Sequence, residues 1–182
     1  KRQSTLTRSA ILVGAGALGN FVAPGLAMLG VPRVDIVDPD IIDETNLNRQ
    51  LLFYHAVGQH KAQVLAARSA VLAPKGCQYR PRPVAFGPRS QLKAYTAVFD
   101  CVDNFETRLL LSQKCAETGV PLLSGGTSPT AGQAIAYAPR PTSCPAHVLG
   151  LEAIAQQRQA ERTRPEAGCL ATPDPSVIMT NQ

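Results

Sequence analysis

The run AILVGAGALGN, residues 10–20, constrains the chain more than any other stretch. An apolar segment of strand length breaks into glycines, and the largely apolar FVAPGLAML follows at once. Gly14, Gly16 and Gly19 therefore stand as G-x-G-x-x-G between an expected strand and an expected helix. In that setting the first glycine permits a tight turn and the second lets the backbone approach a phosphate. The third lets helix pack on strand, and the helix N-terminus offers N–H groups that have no partner within the helix. Asp38 closes the next apolar segment, about twenty residues on, where an acid commonly takes ribose hydroxyls. The pattern predicts a nucleotide site. It leaves open whether the nucleotide is a dinucleotide redox cofactor or ATP.

The rest of the chain alternates strand with helix. RVDIVD reads as a second strand, and a polar loop over residues 39–60 leads to KAQVLAARSAVLA, a helix closed by Pro74. CQYRPRPVAF holds a third, proline-interrupted strand, and TAVFDCVD is a fourth. FETRLLLSQKCAETG is a helix, VPLLSG a fifth strand and GQAIAYA a sixth. Gly30 is the expected stop of the first helix. This alternation predicts an α/β fold: a Rossmann-like, mostly parallel sheet with helices on both faces. Residues 139–182 change character, being rich in proline and polar residues around one helical candidate, LEAIAQQRQAERTR. They are expected to form a cysteine-bearing crossover segment of the same domain, the core being residues 1–138. Both ends of a longer protein are expected to lie outside this sequence.

Composition excludes several classes. With 182 residues, 45% hydrophobic and 17% charged, the chain can bury a core and is not a disordered one. No apolar run is long enough to span a bilayer, and no signal-peptide pattern opens the sequence. Five scattered cysteines argue against a disulfide framework, so a reducing cytoplasm is the expected compartment. The net charge of +5 is unevenly placed. From Glu44 to Asp100 no carboxylate intervenes, while Arg49, Lys61, Arg68, Lys75, Arg80, Arg82, Arg89 and Lys93 all do. That is either a solvated basic face or a draw for an anionic partner. No aromatic interleaving points to nucleic acid.

Three residues argue for ATP over a redox cofactor. A hydride-transfer site has no use for an arginine and a lysine converging on a phosphate chain. Adenylyl transfer does, because negative charge builds on the phosphate oxygens as pyrophosphate leaves. Arg49 and Lys61 can neutralise that charge, and Asp103, at a strand's C-terminal end, can hold Mg²⁺. Each has a plainer alternative: a surface arginine, a cation opening a helix, and the N-cap of NFETRLLL.

GAGALG, DPD, TNLNRQ, VGQHKA and DCVDNFETR, taken in order, resemble the ThiF/MoeB/HesA family, bacterial relatives of ubiquitin-activating enzymes. The likeness runs over residues 10–137 and resumes near Cys169. It implies an ATP- and Mg²⁺-dependent adenylyltransferase acting on the C-terminal glycine of a small ubiquitin-fold carrier protein. It further implies that a cysteine then accepts the acyl group, and that the enzyme is a homodimer. Carried across, Gly14, Gly16, Ala17 and Gly19 lie under the nucleotide and Asp38 holds the ribose. Asp40 and Asn46 line the site, Arg49, Gln50 and Lys61 engage the phosphates, and Asp103 coordinates Mg²⁺ beside Asn104. Arg108 braces its helix instead of touching ATP. Cys169 takes the place of the acyl-accepting or sulfur-relay thiol, with Arg162 and Arg164 near it in sequence.

The sequence departs from the family in two places. Many relatives hold a structural zinc with two C-x-x-C pairs, and this chain has none. Cys144 and His147, in CPAH, have the spacing of half a site, so a bound Zn²⁺ is not expected. Relatives also lend an arginine across the dimer from before the first strand, where Arg2 and Arg8 are the available candidates. Two alternatives stay within reach of the motifs: a tRNA threonylcarbamoyladenosine dehydratase, and the non-catalytic subunit of a heterodimeric activating enzyme. A nicotinamide dehydrogenase, from another class, would bind NAD and ignore ATP.

Overall fold

Ser9–Val13 forms strand β1, buried at every position, and its alternate residues serve two different cores. The structure, a computed structural model, describes residues 8–127 and 132–138. On one side of the sheet Ala10 and Leu12 pack with Val34 and Ile36, with Ala23 and Leu26 of helix α1 (Gly19–Met28), and with Leu65 of helix α2 (Lys61–Ala70). On the other side Ile11 and Val13 pack with Val98 and with Leu111 and Cys115 of helix α3 (Phe105–Thr118). A strand covered on both faces has no polar side, which is why AILV reads as an unbroken apolar run.

The remaining strands are β2 (Arg33–Val37), β3 (Gln78–Arg82), β4 (Ala97–Asp100), β5 (Leu122–Thr127) and β6 (Gly132–Tyr137). They lie in the order β3-β2-β1-β4-β5-β6, the first five parallel and β6 antiparallel to β5. The expected fold class holds: a mostly parallel α/β sheet with helices on both faces. Val13 is in register with Val37 of β2 and with Asp100 of β4, so the carboxyl ends of three strands are level. The chain order reverses between β1 and β4, and the crevice above such a reversal is where open α/β sheets bind ligands.

Local chemistry explains the boundaries. Gly30, at φ +72°, takes the left-handed turn after α1, and Gly119, at φ +75°, does the same after α3. β3 tolerates Pro81 because, among the described residues, it is an edge strand, where a missing N–H costs no ladder bond. The segment read as a plain polar loop contains two short helical turns, Glu44–Asn46 and Leu51–Phe53. The first is closed by reciprocal bonds: the Thr45 N–H donates to Asp43 Oδ1 at 2.9 Å, and the Asp43 N–H to Asn46 Oδ1 at 3.0 Å. The helical candidate in residues 151–164 lies outside the described residues.

Candidate nucleotide site

The three glycines of the loop after β1 do different work. Gly14 has φ +97°, and a Cβ there would stand 2.5 Å from the Cys101 carbonyl oxygen and 2.9 Å from the Val102 nitrogen. It is glycine because β1 and β4 leave their ends pressed together. A Cβ on Gly19 would collide with the Gly14 carbonyl oxygen, so that glycine lets α1 fold back onto the turn. Gly16 differs from both. Its backbone is not left-handed, and a Cβ would meet no atom of the described residues within 4 Å. The protein itself has no need of glycine there, and the space is open at the start of a helix. The N–H groups of Gly16, Ala17 and Leu18 have no protein acceptor among the described residues. Amides without partners around an empty approach suit an anion.

Asp38 ties this loop to the end of β2. Its Oδ2 accepts the Ala15 N–H at 2.7 Å and its Oδ1 accepts the Asp40 N–H at 2.8 Å. Burial pushes its carboxyl above the ordinary range, against the pull of those two amide bonds. The sequence assigned Asp38 to a ribose; in the structure each oxygen already holds a backbone amide. A carboxylate oxygen can accept more than one donor, so the two roles are compatible.

The first turn of α2 docks beside it. Lys61 Nζ lies 2.9 Å from Asp40 Oδ2, and the Lys61 N–H donates to the Asp40 carbonyl at the same distance. Lys61 is buried whereas the Asp40 carboxylate is largely open, so the pair puts a partly shielded cation at the site's rim. Arg49 makes no hydrogen bond to the glycine loop among the described residues. Its guanidinium turns back on its own segment, and Nη1 donates to the Thr45 carbonyl and to Asn48 Oδ1, both at 2.9 Å. Gln50 is 3% exposed and its Oε1 has no hydrogen-bond partner among the described residues, a buried acceptor left open close in sequence to the expected phosphate residue Arg49. Asn46 uses its Oδ1 in the reciprocal cap described above.

Asp103 sits exposed at the carboxyl end of β4, two residues beyond the Cys101 carbonyl that abuts Gly14. The plain alternative for it fails. The N-cap of α3 is Asn104, whose Oδ1 accepts the Thr107 N–H at 2.9 Å, and Asp103 is not needed for that task. Arg108 is 8% exposed and braces the loop from below. Its Nε lies 3.3 Å from Asp100 Oδ2, and its Nη2 donates to the Val102 and Gly125 carbonyls at 2.7 and 2.6 Å. Ser124 Oγ donates to Asp100 at 2.6 Å. Burial raises the Asp100 carboxyl, with Arg108 and Ser124 opposing the shift.

Asn20, Asp100 and Ser124 are parts of this site that the sequence did not single out. Asn20 is a polar residue in an apolar helix, the one cue available. Its Nδ2 donates to the Ala15 and Gly16 carbonyls at 3.1 and 3.0 Å, and its Oδ1 accepts the Leu52 N–H at 2.9 Å.

Among the described residues no group of three or more His, Cys, Asp or Glu is placed to hold a metal. Mg²⁺ does not require one, since it commonly takes one or two carboxylates together with substrate phosphates. Asp103, an exposed carboxylate with no cap to serve, fits that demand. Arg2, Cys144, His147, Arg162, Arg164 and Cys169 lie outside the described residues. Burial pushes the Cys101 and Cys115 thiols up to about 12, which leaves neither suited to nucleophilic work.

Comparison with known proteins bears on the family and the fold. The ThiF family matches over residues 1–172. Adenylyltransferase and sulfurtransferase MOCS3 of Mus musculus is 37% identical over 139 residues, covering 74% of this chain and 30% of that protein. The NEDD8-activating enzyme E1 catalytic subunit of Dictyostelium discoideum is 32% identical over 152 residues, covering 74% of this chain and 34% of its own length. Among solved structures, E. coli MccB with ATP superposes with a TM-score of 0.69 at 19% identity, over 94% of this chain and 51% of that one. The chain thus spans about a third of the curated relatives it matches. On the family match and the two relatives together, this chain belongs to the ThiF family.

Proposed function

We propose that the protein uses ATP to adenylate the C-terminal glycine carboxylate of a small ubiquitin-fold or sulfur-carrier protein. The observation that carries this reading is the open approach at Gly16, with its unpartnered amides at the switch point of the sheet. MOCS3 is named an adenylyltransferase, and MccB was solved with ATP, which is the activity and the nucleotide proposed here. A carboxylate oxygen of the carrier attacks the α-phosphorus, the bond to the bridging oxygen breaks, and pyrophosphate departs with the electron pair. The loop amides and Lys61 stabilise the phosphate oxygens, and Arg49 swings from its own turn to join them. Asp103 is the proposed ligand of Mg²⁺, which supplies charge neutralisation along the phosphate chain. Cys169 is the proposed acceptor: its thiolate attacks the acyl carbon and AMP leaves. The homodimer and the cytoplasmic setting belong to the same proposal.

ATP–pyrophosphate exchange by the full-length protein, with purified ubiquitin-fold carriers and with tRNA, tests it. Exchange is expected with one carrier and lost in Asp103→Ala, while Cys169→Ala keeps exchange and loses the thioester. Tight ATP binding with no exchange on any carrier would refute it, and exchange with tRNA alone would replace it by the tRNA enzyme.

A further inference from the structure

The peptide of Leu52 is held from both sides. Its N–H donates to Asn20 Oδ1 of α1 at 2.9 Å, and its carbonyl accepts Arg68 Nη1 from the last turn of α2 at 2.6 Å. These contacts span 32 and 16 residues of sequence, so they are tertiary, not local. Asn20 is 3% exposed and uses its whole amide group: the Nδ2 holds the Ala15 and Gly16 carbonyls while the Oδ1 holds Leu52. One side chain therefore joins the glycine loop to the segment that carries Arg49 and Gln50. Arg68 belongs to the basic stretch that is open to reading as a surface for an acidic partner. Its contact gives that charge an inward task.

From this clamp we infer that Asn20 and Arg68 are positioning residues, which hold the turn carrying Arg49 and Gln50 to the phosphate-binding loop. The inference rests on the ATP reading above. Arg49 and the clamped peptide are three residues apart, and the bond from the Gln50 N–H to the Asn46 carbonyl, 3.0 Å, carries the constraint into the turn. With the peptide unclamped, the turn from which Arg49 swings must be ordered by the nucleotide instead of before it arrives, and part of the binding free energy goes into that ordering. The loss should fall on the phosphates beyond the first, because Arg49 is the group displaced. The base and ribose contacts should be spared.

The test is calorimetric titration of ATP and of AMP into the full-length protein. Arg68→Gln should weaken ATP by roughly tenfold, the scale of one charge-assisted hydrogen bond, and leave AMP within about twofold. Arg68→Lys keeps a donor and should recover part of the loss. The deciding measurement is a double-mutant cycle: in an Arg49→Ala background, Arg68→Gln should cost nothing further. Asn20→Ser keeps a short polar group in the helix, so its unfolding midpoint reports on folding while its ATP-to-AMP affinity ratio reports on the clamp. Equal losses for ATP and AMP, or the same loss with and without Arg49, would overturn the positioning role. Wild-type protein that binds neither nucleotide would overturn the ATP reading itself and this inference with it. Wild-type binding with Arg68→Gln unchanged would overturn only the inference.

Discussion

Replacing Gly16 with alanine separates a loop shaped by the protein from a loop shaped for a ligand. At Gly16 the backbone is already suited to an L-residue, and the added methyl meets no atom of the described residues within 4 Å. Folding should therefore be indifferent or slightly favoured: Gly→Ala at a compatible site changes stability by about 0.4–1 kcal/mol, chiefly through the unfolded chain. In a domain of this size that moves the melting temperature by no more than about 4 °C. A phosphate chain seated on those amides would meet the methyl directly. Overpacking of that kind costs about 1–3 kcal/mol, so ATP affinity should fall roughly 5- to 150-fold. Gly14→Ala is the opposite control. It must adopt φ +97° and push against a backbone carbonyl 2.5 Å away, so about 2–5 kcal/mol of stability should go before any ligand is added. Urea unfolding and calorimetric ATP titration on both variants complete the comparison. A Gly16→Ala protein that is as stable as wild type and binds ATP equally well would refute the claim that the open approach is the phosphate cradle.

Arg108→Met should lower the unfolding free energy in urea by about 3–5 kcal/mol, because Asp100 is left buried without its cation. Lys61→Met should do much less to stability, under about 1 kcal/mol, since its partner Asp40 stays solvated, yet it should abolish pyrophosphate exchange. Asp38 has a folded pKa above its unfolded value, so its ionisation favours the unfolded chain. Stability from this group is full below the unfolded pKa and declines as pH rises through the folded one. Asp38→Asn, which does not titrate, should therefore gain on wild type in urea unfolding as pH is raised from about 4 to 7. Native alkylation at pH 8 followed by peptide mapping should leave Cys101 and Cys115 unmodified, their thiols lying at about 12.

The strands and helices were readable because their signals are local and periodic: an apolar run, a glycine stop, a proline. Gly14, Gly16 and Gly19 were readable as a set, but not the different reason for each, which depends on how close β4 comes to β1. Asp38 is legible as the acid that ends β2 and its amide partners are not, because Ala15 is 23 residues away and a main-chain N–H leaves no mark in a sequence. The Leu52 clamp had even less to show. Asn20 is one polar residue in an apolar helix, and Arg68 is one cation among many. Reading Asp103 as a helix cap was reasonable from DNFETR, since Asp and Asn both cap well. Only the observed bond to Asn104 decides between them.

Among the described residues the sheet is bordered by β3 and β6, and the two differ in their defence against other chains. β3 presents Arg80, Pro81 and Arg82, charges and a missing donor that discourage a foreign strand from pairing there. β6, GQAIAY, carries no charge and no proline. A strand arriving from a partly unfolded copy is turned away at the first border and meets no such guard within the second. Of these two described borders, β6 is therefore the one whose own sequence offers no resistance to an added strand, and it lies farther from the glycine loop.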